Sequence, residues 1–302
     1  QMMIGVIFLW TAIHLYLSIH RSIVVDETSK FKYVFMPFWE ALKIHLSERA
    51  PYHPGEFIQE YLFRILFNDL MPAEIWTRIS SLTYGALSLY LALKLKNKFL
   101  IAGVFFSAAM TSFATTSLIN THLIYGGGLA YYLLIGDPSE KEVRVLNILN
   151  LIAGHIFGLC AATLIFVYKK RWLYALSNIA VLAAILIIHF AIQRFFPQTH
   201  APLTNPFEAF RQIAGMLANP HGASYFAIPL FILGFFTLYR KSALRALQYF
   251  TLLFSMTILP VVAAYLGDNP YLPRHSLGGI IPFLGVAALG FESLQSRLRF
   301  LK

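Results

Sequence analysis

Long apolar runs without alternation constrain the fold of this chain more than any other feature. The first covers residues 2–19, and comparable runs of about 15–20 residues recur to the end of the sequence. In lipid the backbone must satisfy its own hydrogen bonds, which leaves helix bundles and closed barrels. Because the runs do not alternate as the strands of a barrel do, they predict an all-α integral membrane protein, a polytopic bundle of about 8–10 membrane segments.

Composition argues against both a soluble domain and a nucleic-acid-binding domain. Hydrophobic residues make up 58% of the chain and charged residues 13%, about half the charged share of a typical soluble domain. The formal charge is +10, but Lys and Arg stand in short clusters between apolar runs, as expected for cytoplasmic loops. We therefore expect a lipid environment and no nucleic-acid partner. The lone cysteine, Cys160, lies inside an apolar run and can form no intrachain disulfide.

The order of apolar runs and basic clusters predicts the topology. Residues 145–167 have the length of one helix but lie between two basic loops. If both loops are cytoplasmic, the chain must cross an even number of times between them. This favours a short helical hairpin with its tip at Gly154-His155 over a single span. With the two hairpin legs, the count reaches about ten segments, and both termini are predicted to be cytoplasmic. The chain is expected to be one membrane domain, residues 1–302, with no separate soluble domain. The remaining crossings are predicted at residues 80–95, 99–118, 123–135, 173–190, 223–238, 247–266 and 277–291.

Two long loops on the predicted outer side contain amphipathic helices. The first covers about residues 20–77 and the second about residues 193–222. In the first loop, apolar stripes at helical spacing, from Phe35 to Leu46 and from Phe57 to Leu66, favour two interfacial helices over two short spanning helices. In the second, Asn205-Pro206-Phe207-Glu208 is a helix-start signature. Because both structured loops share one side, we predict an extracytoplasmic working face, in a bacterial inner membrane.

An acidic pair, Asp26-Glu27, follows directly on the first crossing. Such pairs at helix ends are often solvated surface, but this one stands at the mouth of a helix bundle. A carboxylate there can act as general base on an acceptor hydroxyl or amine, while its neighbour orients the acceptor. No metal-ligand spacing, Walker motif or dinucleotide glycine pattern occurs, so no metal site is expected. Gly126-Gly127-Gly128, inside an apolar run, predicts a close-packing or kink site instead.

Four short stretches follow one another in a recognisable order: Asp26-Glu27, His53-Pro54-Gly55-Glu56-Phe57, Arg78-Ile79-Ser80-Ser81 and Pro273-Arg274-His275. In this order they resemble the membrane glycosyltransferases of the C-type (GT-C) fold, especially the protein O-mannosyltransferases and lipid A aminoarabinose transferases that use polyprenyl-phosphate sugars. The resemblance covers the layout of the whole chain. It departs at Gly55-Glu56, where the family has Pro-Leu, and over residues 120–125, which fit the family stretch loosely.

The resemblance implies roles for particular residues. Asp26 would be the general base, and Glu27 would support it or bind the acceptor. Arg274, with Lys30 and Arg78, would meet the donor phosphate, since a guanidinium fork matches phosphate oxygens. For Arg78, a side chain that snorkels from the helix end to the headgroups is the simpler explanation. The residues assigned to the acceptor or sugar pocket are His53, Glu56, His122 and Tyr125.

The sequence favours an enzyme but leaves other functions open. The first hypothesis is a glycosyltransferase that moves a sugar from a polyprenyl-phosphate donor to an extracytoplasmic acceptor. The second is a catalytically inactive GT-C-like subunit with membrane protein partners, and the third is a small-molecule transporter. The resemblance firmly implies no cofactor, although some C-type relatives hold a divalent cation at such an acidic pair.

Overall fold

The computed structural model describes residues 2–21, 35–42, 54–115, 120–195, 205–218, 224–266 and 273–300. Within these ranges the regular structure is helical and contains no strand, which confirms the predicted all-α fold. A 3-10 helix, Pro273–Gly279, precedes the last α-helix. Residues 38–42 are also helical. The other α-helices of the described ranges are α1 (Met2–His20), α2 (Pro54–Phe67), α3 (Ala73–Trp76), α4 (Ile79–Lys94), α5 (Lys98–Phe105), α6 (Ala108–Ala114), α7 (Asn120–Ile135), α8 (Glu140–Ala153), α9 (Ile156–Tyr168), α10 (Trp172–Phe195), α11 (Pro206–Ala218), α12 (Ser224–Lys241), α13 (Ala243–Thr257), α14 (Leu259–Leu266) and α15 (Ile280–Phe300).

Several helical stretches are suited to a membrane. Three in the described ranges are both long and apolar enough to cross it: Met2–His20, Ala243–Ala264 and Ser276–Leu298. Two shorter apolar helices, Ile156–Tyr168 and Trp172–Ile188, accompany them. Large apolar side chains on the outside of the bundle are exposed, as expected where lipid covers them. The chain is a polytopic integral membrane protein.

Helix α7 forms the centre of the bundle, since every residue from Asn120 to Leu134 is buried. It packs against α4, α9, α15 and the 3-10 helix. A Cβ atom at Gly126 would collide with the backbone of Gly158 in α9, and one at Gly127 would collide with the carbonyl oxygen of Gly278. The prediction that the glycine triplet is a close-packing site is therefore confirmed.

A second close crossing joins α12 to α15, the most extensively packed pair among the described helices. A Cβ atom at Gly234 would collide with the carbonyl oxygen of Val286, and one at Gly290 with that of Leu230. The two helices thus meet backbone to backbone through small residues, as membrane helices often do.

The predicted helical hairpin over residues 145–167 is confirmed. Helices α8 and α9 separate at Gly154, which ends α8 in the left-handed region with φ 60°. The two ends of the hairpin meet again, because Arg171 Nη1 lies 3.3 Å from Glu140 Oε2 and Tyr174 donates a hydrogen bond to Glu140. With 14 and 13 residues, the legs are about 20 Å long and fall short of a hydrocarbon core of about 30 Å.

Buried amides hold the first leg of the hairpin to α10. Asn150 Nδ2 donates to Asn178 Oδ1 at 3.1 Å, and Asn178 Nδ2 donates to Asn147 Oδ1 at 2.7 Å. All three side chains are buried, so these bonds satisfy polar groups that lipid could not.

The stretch predicted as a crossing over residues 99–118 is not one continuous helix, although it runs from Asn97 beside Glu292 to Thr115 beside Arg21. Two short helices, α5 and α6, occupy this stretch as far as residue 115, and residues 116–119 lie outside the described part. The break comes at Ser107, whose backbone is extended and whose hydroxyl accepts a hydrogen bond from the Met110 N–H at 3.3 Å. A serine in this conformation caps a new helix, and hydropathy alone cannot detect it. Similarly, the crossing predicted over residues 247–266 is divided at Ile258.

Helix α2 forms where the second stripe of the first loop predicts it, and its polar side faces the protein. Ile58, Leu62 and Ile65 of the apolar stripe are exposed, whereas Glu60 is only 3% exposed. In a membrane, an exposed apolar stripe is covered by lipid, so the polar side is the one available for packing. Of the first stripe, residues 38–42 are helical, and the remainder from residue 43 lies outside the described part.

Helix α11 begins at Pro206, as its start signature predicts. Ala209, Ile213 and Leu217 are buried, and Leu217 reaches the 3-10 helix at Gly279. Phe210 is 45% exposed, so it does not belong to the packed face of this helix. At the helix start, hydrogen bonds from Arg211 and Gln212 lower the pKa of the Glu208 carboxyl.

Candidate functional site

The predicted site residues divide into those the structure describes and those it does not. Asp26, Glu27, Lys30 and His53 lie outside the described residues. Their assigned roles stay predictions. The side chains of Glu56 and Arg274 also lie outside, but their backbones belong to α2 and to the 3-10 helix. Arg78, His122 and Tyr125 are described in full, and all three are buried.

Arg78 holds the C-terminal end of α1, where the first loop begins. Its Nη1 donates to the carbonyl oxygens of Ser18 and Arg21, the latter at 3.3 Å. Arg21 Nη1 in turn donates to the Ser112 carbonyl at 3.0 Å and to Thr115 Oγ1 at 2.8 Å. The guanidinium of Arg78 thus satisfies carbonyls that α1 leaves open at its C-terminus. Since Arg78 is fully buried, the explanation of its position by snorkelling is wrong.

The chain enters the segment that carries the acidic pair from this anchored point. Arg21 is the last described residue before that segment, and Asp26 follows it closely in sequence. Arg78 and Arg21 therefore hold the beginning of the first loop against α4 and α6.

A chain of hydrogen bonds links α2, α4 and α7 beside Arg78. Ser80 Oγ donates to Gln59 Oε1 at 2.9 Å and lies 2.9 Å from His122 Nε2. Gln59 Nε2 donates to the Ile152 carbonyl at 3.0 Å, which orients the amide with Oε1 toward Ser80. Because the single hydroxyl proton of Ser80 is used on Gln59, Nε2 of His122 must carry the proton in the other bond.

Two tyrosines complete this cluster and join it to the hairpin. The Tyr84 ring lies 4.0 Å from the His122 ring and 5.4 Å from the Tyr125 ring, centroid to centroid. Tyr84 donates to the Leu149 carbonyl at 2.9 Å and Tyr125 to the Leu146 carbonyl at 2.8 Å. His122 and Tyr125 therefore belong to one buried cluster of closely packed side chains. Their assignment to a sugar or acceptor pocket stays a prediction.

Helix α7 lies between two of the four stretches that carry the family resemblance, the one at Arg78 and the one at Arg274. His122 contacts Ser80 and Tyr84, near the start of α4. Leu123, the next residue, contacts Gly278 of the 3-10 helix whose second residue is Arg274. The start of α4 and the 3-10 helix thus lie on neighbouring sides of the same turn of α7. We call this end of the bundle, marked by Arg21, Arg78 and His122, the first-loop end.

Glu60 is a candidate that the sequence interpretation passed over. The sequence places it among the polar positions of an interfacial helix, where solvent would be expected to surround it. Instead, the carboxylate-bearing side chain is 3% exposed and follows Gln59, which belongs to the hydrogen-bonded cluster. A buried carboxylate is costly unless it is paired or hydrogen-bonded, and buried ionisable groups of this kind cluster at functional sites. The adjacent polar pair Gln59-Glu60 beside an apolar stripe was the signal available in the sequence.

Metal-binding geometry is absent from the part of the chain that is described. No group of three or more His, Cys, Asp or Glu side chains lies close enough there to hold a metal ion. The acidic pair Asp26-Glu27, at which a cation was considered, lies outside that part.

Comparison with known proteins reveals a likeness of fold. No protein-family model and no curated protein sequence matches this chain. Among solved structures, the crystal structure of ArnT from Cupriavidus metallidurans in the apo state resembles it, with 12% sequence identity and a TM-score of 0.57. The match covers 96% of this chain and 60% of that chain, so this chain spans less than two thirds of its neighbour's length. At this identity the likeness shows the fold alone, which is GT-C-like.

Proposed function

We propose that this chain is a membrane glycosyltransferase that transfers a sugar from a polyprenyl-phosphate donor to an extracytoplasmic acceptor. The observation that carries the proposal is the position of α7 between the start of α4 and the 3-10 helix. The first loop, which bears Asp26, begins at the anchored Arg21 beside α4, and Arg274 belongs to the 3-10 helix. This arrangement supports one site at the first-loop end. The fold likeness to ArnT supports the same class of activity.

The reaction we propose is a single displacement with inversion at the anomeric carbon. Asp26 takes the proton of the acceptor hydroxyl or amine as the acceptor atom attacks the anomeric carbon. The bond from that carbon to the phosphate oxygen breaks, and polyprenyl phosphate leaves with the electron pair. Arg274, aided by Lys30, stabilises the charge on the departing phosphate. Glu27 orients the acceptor.

The remaining predicted residues support this site from its edges. Arg78 already donates to the carbonyls of Ser18 in α1 and of Arg21 just after it, so we assign its effect on the phosphate to positive charge at a distance. His53 and Glu56 precede and begin the helix that presents Gln59 to Ser80, and we propose that they contact the sugar or acceptor. His122 and Tyr125 position the wall of the pocket through their bonds to Ser80 and Leu146.

Replacement of the proposed base tests the activity. We expect Asp26→Asn to lower the rate of sugar transfer from a polyprenyl-phosphate donor about 100-fold or more in proteoliposomes, since a general base contributes about that factor. Asp137→Asn is the matched control, because Asp137 is exposed and follows α7 at the opposite end of the bundle. Both variants should give the helical circular dichroism spectrum of the wild type.

The same assay separates the alternatives. Full transfer activity of Asp26→Asn would refute the catalytic assignment. A wild-type protein that transfers no polyprenyl-phosphate sugar, yet purifies with a stable membrane partner, would establish the inactive-subunit hypothesis. Movement of a solute across sealed vesicles without sugar transfer would support the transporter.

A further inference from the structure

A basic cleft lies at the end of the bundle opposite the first-loop end. It has a volume of about 660 Å³ and opens between α9, α12, α13 and α15, where Ile135 ends α7. Lys169, Lys241 and Arg245 line it, and an adjoining cavity of about 490 Å³ shares Lys241 and adds Arg240 and Arg297. We call this end of the bundle the basic end.

Among the described residues that line the cleft and its adjoining cavity, cations outnumber carboxylates. Glu292 is the carboxylate among the lining residues, and it accepts a hydrogen bond from Asn97 at 2.7 Å. Within the described residues, none of the five lining cations forms an ion pair with a carboxylate. Elsewhere at this end cations are paired, as Lys94 is with Glu142 at 3.0 Å. Cations that converge on a cleft without partners favour an anionic ligand.

The cleft continues into an apolar groove on the outside of the bundle. This groove, of about 220 Å³, lies between α9 and α13 and shares Leu134, Tyr168 and Gln248 with the cleft. Leu164, Leu244 and Leu247 along it are between 46% and 61% exposed. Gln248, at the junction, has a buried Nε2 with no hydrogen-bond partner in the described structure. A polar cleft joined to a lipid-facing groove has the form of a site for a headgroup and an acyl chain.

We propose that this site binds an anionic phospholipid, with the phosphate in the cleft and an acyl chain in the groove between α9 and α13. Lys241 is the last residue of α12, and Arg245 lies in the first turn of α13. A headgroup at the membrane surface can reach both side chains. A soluble phosphate compound would use the cations but would leave the apolar groove uncovered. The site is separate from the proposed glycosyltransferase site, which lies at the first-loop end.

Lipid titration of the delipidated protein tests the proposal. The purified chain in detergent is titrated with phosphatidylglycerol or phosphatidylcholine, and bound lipid is counted by native mass spectrometry. Lys169→Gln, Lys241→Gln and Arg245→Gln in one chain should weaken phosphatidylglycerol binding at least about tenfold, since each cation near the surface contributes a severalfold factor. The matched control neutralises Lys98, Lys141 and Arg144, which are exposed cations at the same end but outside the cleft. It should bind like the wild type.

A groove variant and a soluble competitor identify the source of the phosphate. Leu247→Trp, at an exposed position, should weaken phosphatidylglycerol binding by filling the groove. Glycerol 3-phosphate, which has the phosphate without acyl chains, should compete poorly. Equal losses in the cleft and control variants, or equal binding of phosphatidylcholine, would overturn the proposal. So would efficient competition by glycerol 3-phosphate together with full binding by Leu247→Trp, which would identify a site for soluble phosphates.

Discussion

Arg78 binds the last carbonyl groups of α1 from a fully buried position, and so determines where the first loop begins. We predict that Arg78→Leu lowers the free energy of unfolding by about 2–3 kcal/mol, because hydrogen bonds from a charged donor to buried carbonyls are lost. Thermal unfolding in detergent measures this. Arg144→Leu, at an exposed position, should change stability by less than about 0.5 kcal/mol. Equal melting temperatures for Arg78→Leu and the wild type would contradict the anchoring role.

At the same scale, the sequence reveals residue type and order but not the partner of each side chain. His122 and Tyr125 were predicted together, and they do share one cluster, because helical spacing places them on neighbouring turns of α7. Glu60 was passed over, because a stripe pattern separates two faces of a helix without saying which face meets protein. In water the apolar face packs inward, whereas in lipid that face can remain outside.

At the scale of helices, close approach to α7 depends on the absence of side chains. We predict that Gly127→Ala destabilises the protein by about 1–3 kcal/mol, because its Cβ would collide with the Gly278 carbonyl and push the 3-10 helix away from α7. Gly215→Ala is the control, since nothing lies within 4 Å of a Cβ there. It should leave stability unchanged or raise it by up to about 1 kcal/mol through helix propensity. Equal melting temperatures for the two variants, measured in detergent, would refute the close-packing role.

The boundaries of helices were predictable where local chemistry marks them. Gly154 has the left-handed conformation that glycine tolerates best, and the hairpin tip was placed there from sequence. The break at Ser107 was missed, because residues 99–118 form one apolar stretch and a serine inside such a stretch is usually a helix residue. After the break, α5 packs against α4 and α15, and α6 packs against α4. The contacts with α15 join residues that are distant in sequence, so the local pattern does not predict them.

At the scale of the whole molecule, the bundle has two chemically different ends. The first-loop end holds buried polar side chains, among them Arg78 and His122, whereas the basic end holds exposed cations around a cleft. The contact between Arg171 and Glu140 places both flanks of the hairpin at the basic end. By the positive-inside rule we expect that end to face the cytoplasm.

Cysteine labelling of intact cells tests this orientation. In a Cys160→Ala background, we predict that Lys141→Cys and Lys169→Cys resist a membrane-impermeant maleimide until the cells are broken. Asp69→Cys and Arg211→Cys, at exposed positions of the first-loop end, should react in intact cells. The physical reason is that a leg of about 20 Å returns to its own side, so both flanks of the hairpin share one compartment. If Lys169→Cys reacted in intact cells while Lys141→Cys did not, residues 145–167 would be a single span. That outcome would contradict the contact between Arg171 and Glu140, which holds both flanks of the hairpin at the basic end.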